Sequence, residues 1–281
     1  MQQRQDPGET GTVPAAPAND SLPPAAFWGR STAVPTGLSI VEIIERGTLD
    51  ARTAALAWLT LERHGSLLVA ALPQGAGKTT VLSALLELLP PAGRQVYLAG
   101  MAETFAFVGG TRPHETLLLA AELSSHLPVY LWGAPALRAF ELVADGYALA
   151  GTLHADSADA AMTLLRDEGG IPAAHLEHLA LILVISVTGD GDEITGRRVT
   201  GAYRPIPGTA GPATAALVEW DAVGERWEHH HAAEAEAAGS GLDQRTTFLD
   251  DLVTRGIREA SAIRAAVEAH DINIKKNGDR P

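Results

Sequence analysis

Leu72-Pro-Gln-Gly-Ala-Gly-Lys-Thr-Thr80 is the stretch that decides the fold. The apolar run Ser66-Leu-Leu-Val-Ala-Ala71 precedes it, and a helix-patterned run over residues 79–89 follows. Strand, glycine-rich turn, lysine, hydroxyl and helix, in that order, are what a triphosphate site requires. Gly75 and Gly77, with Ala76 between them, let the backbone curl so that successive N–H groups converge on phosphate oxygens. The positive end of the following helix lies beneath them. In this arrangement Lys78 neutralises the β- and γ-phosphates, the Thr79 hydroxyl coordinates Mg²⁺, and Thr80 completes the predicted binding set. One position departs from G-x-x-x-x-G-K-[ST]: Leu72 stands where that pattern opens with glycine.

The composition bounds what surrounds this loop. A chain of 281 residues accommodates one α/β domain with appendages or two small domains, and 46% hydrophobic residues allow a sizeable core. Lys and Arg total 21 against 34 Asp and Glu, a net charge of −13. That balance argues against a nucleic-acid groove, which needs a positive stripe, but leaves room for a nucleotide, which needs one local positive site. The absence of cysteine excludes disulfides and thiolate metal sites and fits a reducing cytoplasm. No run approaches the roughly 18 apolar residues of a membrane span, and residues 1–7 lack the apolar core of a signal peptide. The expectation is a cytoplasmic protein without direct membrane insertion, peripheral at the inner face of a membrane only through a partner.

Residues 1–36, rich in Pro, Ala, Gly, Gln and Thr, read as a disordered tail. Residues 37–65 read as a helical lead-in. Ile40, Val41, Ile43 and Ile44 form a short helix ended by Gly47, and Thr48 and Asp50 cap a second helix buried through Leu56, Leu59 and Leu61. The main domain spans 66–228, with strands expected over 67–71, 95–99, 116–122 and 147–153 and helices over 79–89, 134–144 and 157–166. Residues 182–187 and 197–203 flank Gly189-Asp-Gly-Asp192, a hairpin signal, and a second hairpin turns about Val223-Gly224. Residues 229–241 read as a linker in which His229-His-His231 is solvated, and 242–281 as a C-terminal helical pair with a polar tail.

Three further positions carry chemistry. Glu122 ends an apolar strand, which places its carboxylate at the carboxyl edge of a parallel sheet, where such folds bind ligands. There it orients Mg²⁺ indirectly and activates the attacking water. His154 ends the next apolar strand, in reach of a γ-phosphate or the lytic water, and Asp156 is placed to cap the helix that follows. Glu103, just past the second strand, is a candidate second carboxylate near the metal. The Arg197-Arg198 pair reads as strand-edge protection rather than a phosphate clamp.

In their order these pieces resemble the secretion-system and pilus-type ATPases, the RecA-like motors of type II and type IV secretion, type IV pili and the archaeal flagellum. The similarity runs over about 37–270. Residues 47–58 look like the helical segment before Walker A in archaeal-type members, 72–80 like Walker A, 116–122 like their atypical Walker B ending on Glu, and Gly151-Thr-Leu-His-Ala-Asp-Ser157 like the histidine box. Gly196-Arg-Arg-Val, Val218-Glu-Trp-Asp221 and the closing helices from Arg245 also look like archaeal-type features. The resemblance implies a RecA-like P-loop core with a β-hairpin extension and a C-terminal helical pair. It also implies ATP and Mg²⁺ as ligands, a hexameric ring or association with a full-length secretion ATPase, and a membrane platform protein as partner.

The departures define a shortened, partly degenerate member. Leu72 replaces the first Walker A glycine, and only Glu103 remains of the acidic box. The segment between Glu103 and Glu122 is short, Leu123-Ser-Ser follows Glu122 where a basic residue is usual, and Tyr147 holds the place of a histidine. The resemblance leads us to expect no counterpart of the family's large N-terminal domain, which supplies arginine fingers across the ring; in GTPases such a finger is worth ~10³–10⁵ in rate. Two readings stay open: an ATP-hydrolysing component of such a machine, and a nucleotide-binding regulatory or structural subunit that does not hydrolyse. An unrelated P-loop kinase is a third.

Overall fold

The computed structural model describes residues 37–90, 93–190, 193–208 and 213–278. The expected tail over 1–36 and the turn residues 191–192 lie outside the described residues. Helix α1 (Ile40–Glu45) opens with a capping box in which Ser39 and Glu42 satisfy each other's backbone N–H groups. Gly47, at φ 65°, turns the chain after it. Asp50 then caps α2 (Ala51–Glu62) by accepting from the Thr53 N–H.

Eight strands form one sheet: β1 (Ser66–Ala70), β2 (Arg94–Tyr97), β3 (Thr116–Leu123), β4 (Ala148–Leu153), β5 (Leu179–Asp190), β6 (Glu193–Pro205), β7 (Thr214–Asp221) and β8 (Arg226–His229). Their order is β2-β3-β4-β1-β5-β6-β7-β8. The strands from β2 to β5 in that order are parallel, and β6, β7 and β8 continue as an antiparallel meander. Side chains alternate across the pleat, so each buried strand feeds two cores. Leu67 and Val69 pack with residues of α2, α3 (Lys78–Leu86), α8 (Leu242–Thr254) and α9 (Ala260–Gly278). Leu68 and Ala70 face the opposite layer, formed by α4 (Ala134–Ala144), α5 (Ala158–Asp167) and the short α6 (Ala173–Leu176). A sheet with helices on both faces is the α/β architecture that the alternating elements imply.

The structure corrects several expectations. Helix α2 is buried over most of its length rather than along one leucine stripe, because α8 and α9 cover its outer side, where Trp58 packs against Phe248 and His270. The stretch read as a linker carries α7 (His231–Ala238), whose Glu234 is fully buried. His229 is not solvated: it meets Asp50 at 2.7 Å and Glu234 at 2.6 Å. Helix α5 is capped by Ser157, which accepts from the Ala160 N–H; Asp156, one residue too early, is not the cap. Along β6, Arg197 and Arg198 pair with Val187 and Ser186 of β5 and lie beyond the stretch from Gly201 to Pro205 that pairs with β7.

Candidate active site

The site follows from strand order. Helix α3 starts directly after the glycine loop at the end of β1, β3 carries Glu122, and β4, which His154 follows, pairs with both β1 and β3. The carboxyl edge therefore presents lysine, histidine and carboxylate side by side, with the histidine in the middle. Close approach of β4 to β3 is permitted at Gly151, where a Cβ would sit 3.0 Å from the Ala120 carbonyl oxygen.

In the loop, Gly75 has φ 78° and Gly77 φ 92°, the left-handed conformations in which glycine carries no steric penalty. Gly77 is the N-cap of α3 without a side chain to close it, so the first N–H groups of that helix stay open toward the loop. Leu72, in the place of a glycine, is 54% exposed, so its side chain fits there without intruding on the core.

Lys78 is buried, with Nζ 3.3 Å from the Ala71 carbonyl and 3.4 Å from His154 Nδ1. Burial pushes its pKa below the ordinary lysine value, and the charge of Glu122 opposes that shift. His154 Nδ1 also lies 2.9 Å from the Leu72 carbonyl, and its Nε2 lies 3.2 Å from Glu122 Oε2. The imidazole thus ties the glycine loop to the acidic strand. Glu122 is 7% exposed, and its second oxygen, Oε1, is buried with no hydrogen-bond partner among the described residues. An orphaned carboxylate oxygen in a buried position is costly unless something supplies a donor.

Thr79 and Thr80 sit half-buried in the first turn of α3, with Ala76 buried in the loop. Glu103 takes a different role from the one expected. Its two oxygens accept from the Ala99 and Phe105 N–H groups at 2.8 and 2.6 Å, so it braces its own loop. Tyr147 precedes β4 at the end opposite His154, and its hydroxyl meets Thr111 Oγ1 at 2.7 Å.

Two contacts escaped the sequence reading. Arg197 Nε donates to the Gly75 carbonyl at 3.0 Å, and His126, bonded to Ser124 at 2.7 Å, places its ring 6.1 Å from that of His154. Only the register of β6 reveals the first; the second depends on how the chain turns after β3. Among the described residues, no group of three or more His, Cys, Asp or Glu is placed to hold a metal ion unaided. No described helix is long and apolar enough to cross a membrane.

No protein-family model matches this chain, and neither does any curated protein. Among solved structures it is similar to the VirB11 ATPase of the Brucella suis type IV secretion system in complex with sulphate, at 19% identity over 55% of this chain and 52% of that one, with a TM-score of 0.36. It is also similar to the ATPase DotB of Legionella pneumophila, at 13% identity over 75% of this chain and 57% of that one (TM-score 0.37). The DotB of Yersinia pseudotuberculosis aligns at 11% identity over 80% of this chain and 62% of that one (TM-score 0.37). The chain therefore spans less than two thirds of each of these relatives.

Proposed function

We propose that this chain is an ATP-binding and ATP-hydrolysing component of a secretion- or pilus-type machine, built on a RecA-like P-loop core. The observation that carries the reading is the partnerless Oε1 of Glu122, held at the sheet edge beside His154 and Lys78. The left-handed glycines, the open start of α3 and this orphaned oxygen together fit a magnesium-bound triphosphate. The Thr79 hydroxyl would hold Mg²⁺ directly and Glu122 through water; when bound, the ion neutralises phosphate charge.

The chain's own residues divide the remaining work. Lys78, desolvated, in contact with a carbonyl and an imidazole and within the field of Glu122, gains further anionic partners when phosphates enter the loop. Glu122 uses Oε1 to orient water and accept its proton, while Oε2 stays fixed by His154. His154 contacts the lysine, the loop carbonyl and the carboxylate at once, so it registers whether the loop is filled. Assembly as a ring or on a full-length secretion ATPase, docking to a membrane platform protein and a cytoplasmic or membrane-peripheral location belong to the same proposal.

Nucleotide affinity, turnover and molecular mass, measured together for wild type, Lys78→Ala and Glu122→Gln, test it. Magnesium-dependent ATP binding should vanish in Lys78→Ala and persist in Glu122→Gln, whose turnover should fall about 10²-fold or more. No affinity for ATP at millimolar concentration in the wild type would sink the reading. One observation favours a non-hydrolysing subunit instead: Glu103 is committed to backbone N–H groups, which leaves Glu122 as the acid facing the lysine. Robust turnover by the isolated chain rules that alternative out.

A further inference from the structure

We propose that Arg197 is a phosphate-contacting cation supplied in cis, by the β5–β6 hairpin, to the triphosphate held on this chain's own glycine loop. The inference rests on the ATP-site reading and extends it to a residue outside the loop, lysine, carboxylate and histidine set.

The register of the sheet puts Arg197 there. Strand β1 ends at Ala70, opposite Val184 of β5, and the chain then turns into the glycine loop. Strand β5 continues to Asp190, so it runs on beside the loop and brings β6 with it, Val187 pairing with Arg197. At ~3.3 Å per residue this overhang is long enough to flank the whole loop. Ile194 Cδ1 lies 3.9 Å from where a Cβ on Gly75 would sit, and Arg197 Cδ lies 3.2 Å from where one on Gly77 would sit. Both left-handed glycines of the loop therefore lie against this one hairpin.

The guanidinium is anchored but not neutralised. Its Nε donates to the Gly75 carbonyl at 3.0 Å, and its terminal nitrogens make no hydrogen bond or ion pair with any described residue. Arg198, on the opposite face of β6, is engaged differently: its guanidinium carbon lies 3.8 Å from the centroid of Trp220 and 5.4 Å from that of Trp227. A guanidinium carries five N–H donors in a rigid fork that matches phosphate oxygens. Arg197 uses one donor on the loop backbone, leaving the rest of the fork for the anion that the loop itself is built to hold.

Equilibrium titrations with ATP and ADP separate these roles, using wild type, Lys78→Ala, Arg197→Gln and Arg197→Lys, each checked for an unchanged melt. The Gln amide can still donate to Gly75 but carries no charge. Arg197→Gln should weaken ATP about tenfold or more and ADP about threefold or less, in keeping with a charged hydrogen-bond partner lost from the terminal phosphate. Arg197→Lys should recover part of the ATP preference. Equal losses for ATP and ADP, or wild-type affinities in Arg197→Gln while Lys78→Ala abolishes binding, would overturn the role of Arg197 and leave the ATP site standing. A wild-type protein that binds neither nucleotide would overturn both.

Discussion

At the scale of single residues, His154 is the joint of the site. It takes that position because its strand lies between the strand that leads into the loop and the strand that carries Glu122. His154→Ala would release Glu122 Oε2 and the Leu72 carbonyl while leaving the loop and Lys78 in place. ATP affinity should stay within a few-fold of wild type while turnover drops by about 10² or more, because the carboxylate loses the group that aims it. Steady-state kinetics beside a binding isotherm checks this; parallel losses in both would contradict it. Lys78, Glu122 and His154 were legible in the sequence because each closes an apolar strand or opens a helix, and parallel strands deliver such residues to one edge. The spacing around Glu103 carries no sign that two nearby backbone N–H groups claim its oxygens. Arg197 could not be placed, since its partner lies 122 positions away and only the β5–β6 register joins them.

At the scale of elements, two contacts set the tolerance of the fold. Gly151 lets β4 approach β3: a Cβ there would meet the Ala120 carbonyl and Leu123 Cδ1 at 3.0 Å each. Gly151→Ala should destabilise the protein by about 1–3 kcal/mol through overpacking, read as a lower denaturation midpoint with an unchanged denaturant slope. The other contact is the cluster joining α2, β8 and α7. Glu234, fully buried, holds Arg52 at 2.8 Å and His229 at 2.6 Å, and His229 also holds Asp50. Glu234→Ala should cost about 1–3 kcal/mol, because Arg52 keeps Asp243 and His229 keeps Asp50 while each loses one charged hydrogen bond.

The same cluster makes stability depend on pH. Burial alone would lower the pKa of His229, but hydrogen bonds and charge from Asp50 and Glu234 outweigh it and raise the pKa above the ordinary 6.5. The stabilisation from this raised group is complete below about pH 6.5 and is lost as pH rises through the higher folded value. Burial would raise the pKa of Asp50, but bonds to His229 and Thr53 prevail and lower it below the ordinary 3.8. Its share is present above that value and is lost as pH falls through the lower folded one. Melting points from pH 5 to 9 should decline above about pH 6.5 in the wild type, and His229→Gln should flatten that decline. The sequence concealed the cluster because a triple histidine followed by an Ala- and Glu-rich run has the composition of a solvated linker, and the helix there forms through contacts with distant α2.

At the scale of the whole molecule, the C-terminal helices belong to the main core. Leu249, Leu252, Ile263 and Val267 share one apolar cluster with α2, α3 and the sheet, and Phe248 packs on Trp58 at 5.7 Å between ring centroids. Arg245 binds Glu62 and lies over the Trp58 ring at 5.1 Å. Leu249→Ala should therefore cost about 2–5 kcal/mol and lower a single calorimetric transition. A separate low-temperature transition for the helical pair would contradict this. The alternation of strands and helices announced the α/β class, and the turn signal at Gly189 announced the long hairpin. Neither specified that α8 and α9 would close over α2, since the apolar faces of these helices read alike whether they pair with each other or cap a distant helix.

Strand β6 also has a mechanical consequence. Arg197 touches the Gly75 carbonyl, and two residues along the same strand the Val199 N–H is bonded to the Thr48 carbonyl at 2.7 Å, just before α2 begins. The Val199 carbonyl is in turn held by Trp227 Nε1 at 2.8 Å. Strand β6 thus links the glycine loop to the turn ahead of α2, with Val199 held through both its N–H and its carbonyl. Displacement of the loop against the hairpin is therefore transmitted through Arg197, Arg198 and Val199 to the Thr48 carbonyl ahead of α2.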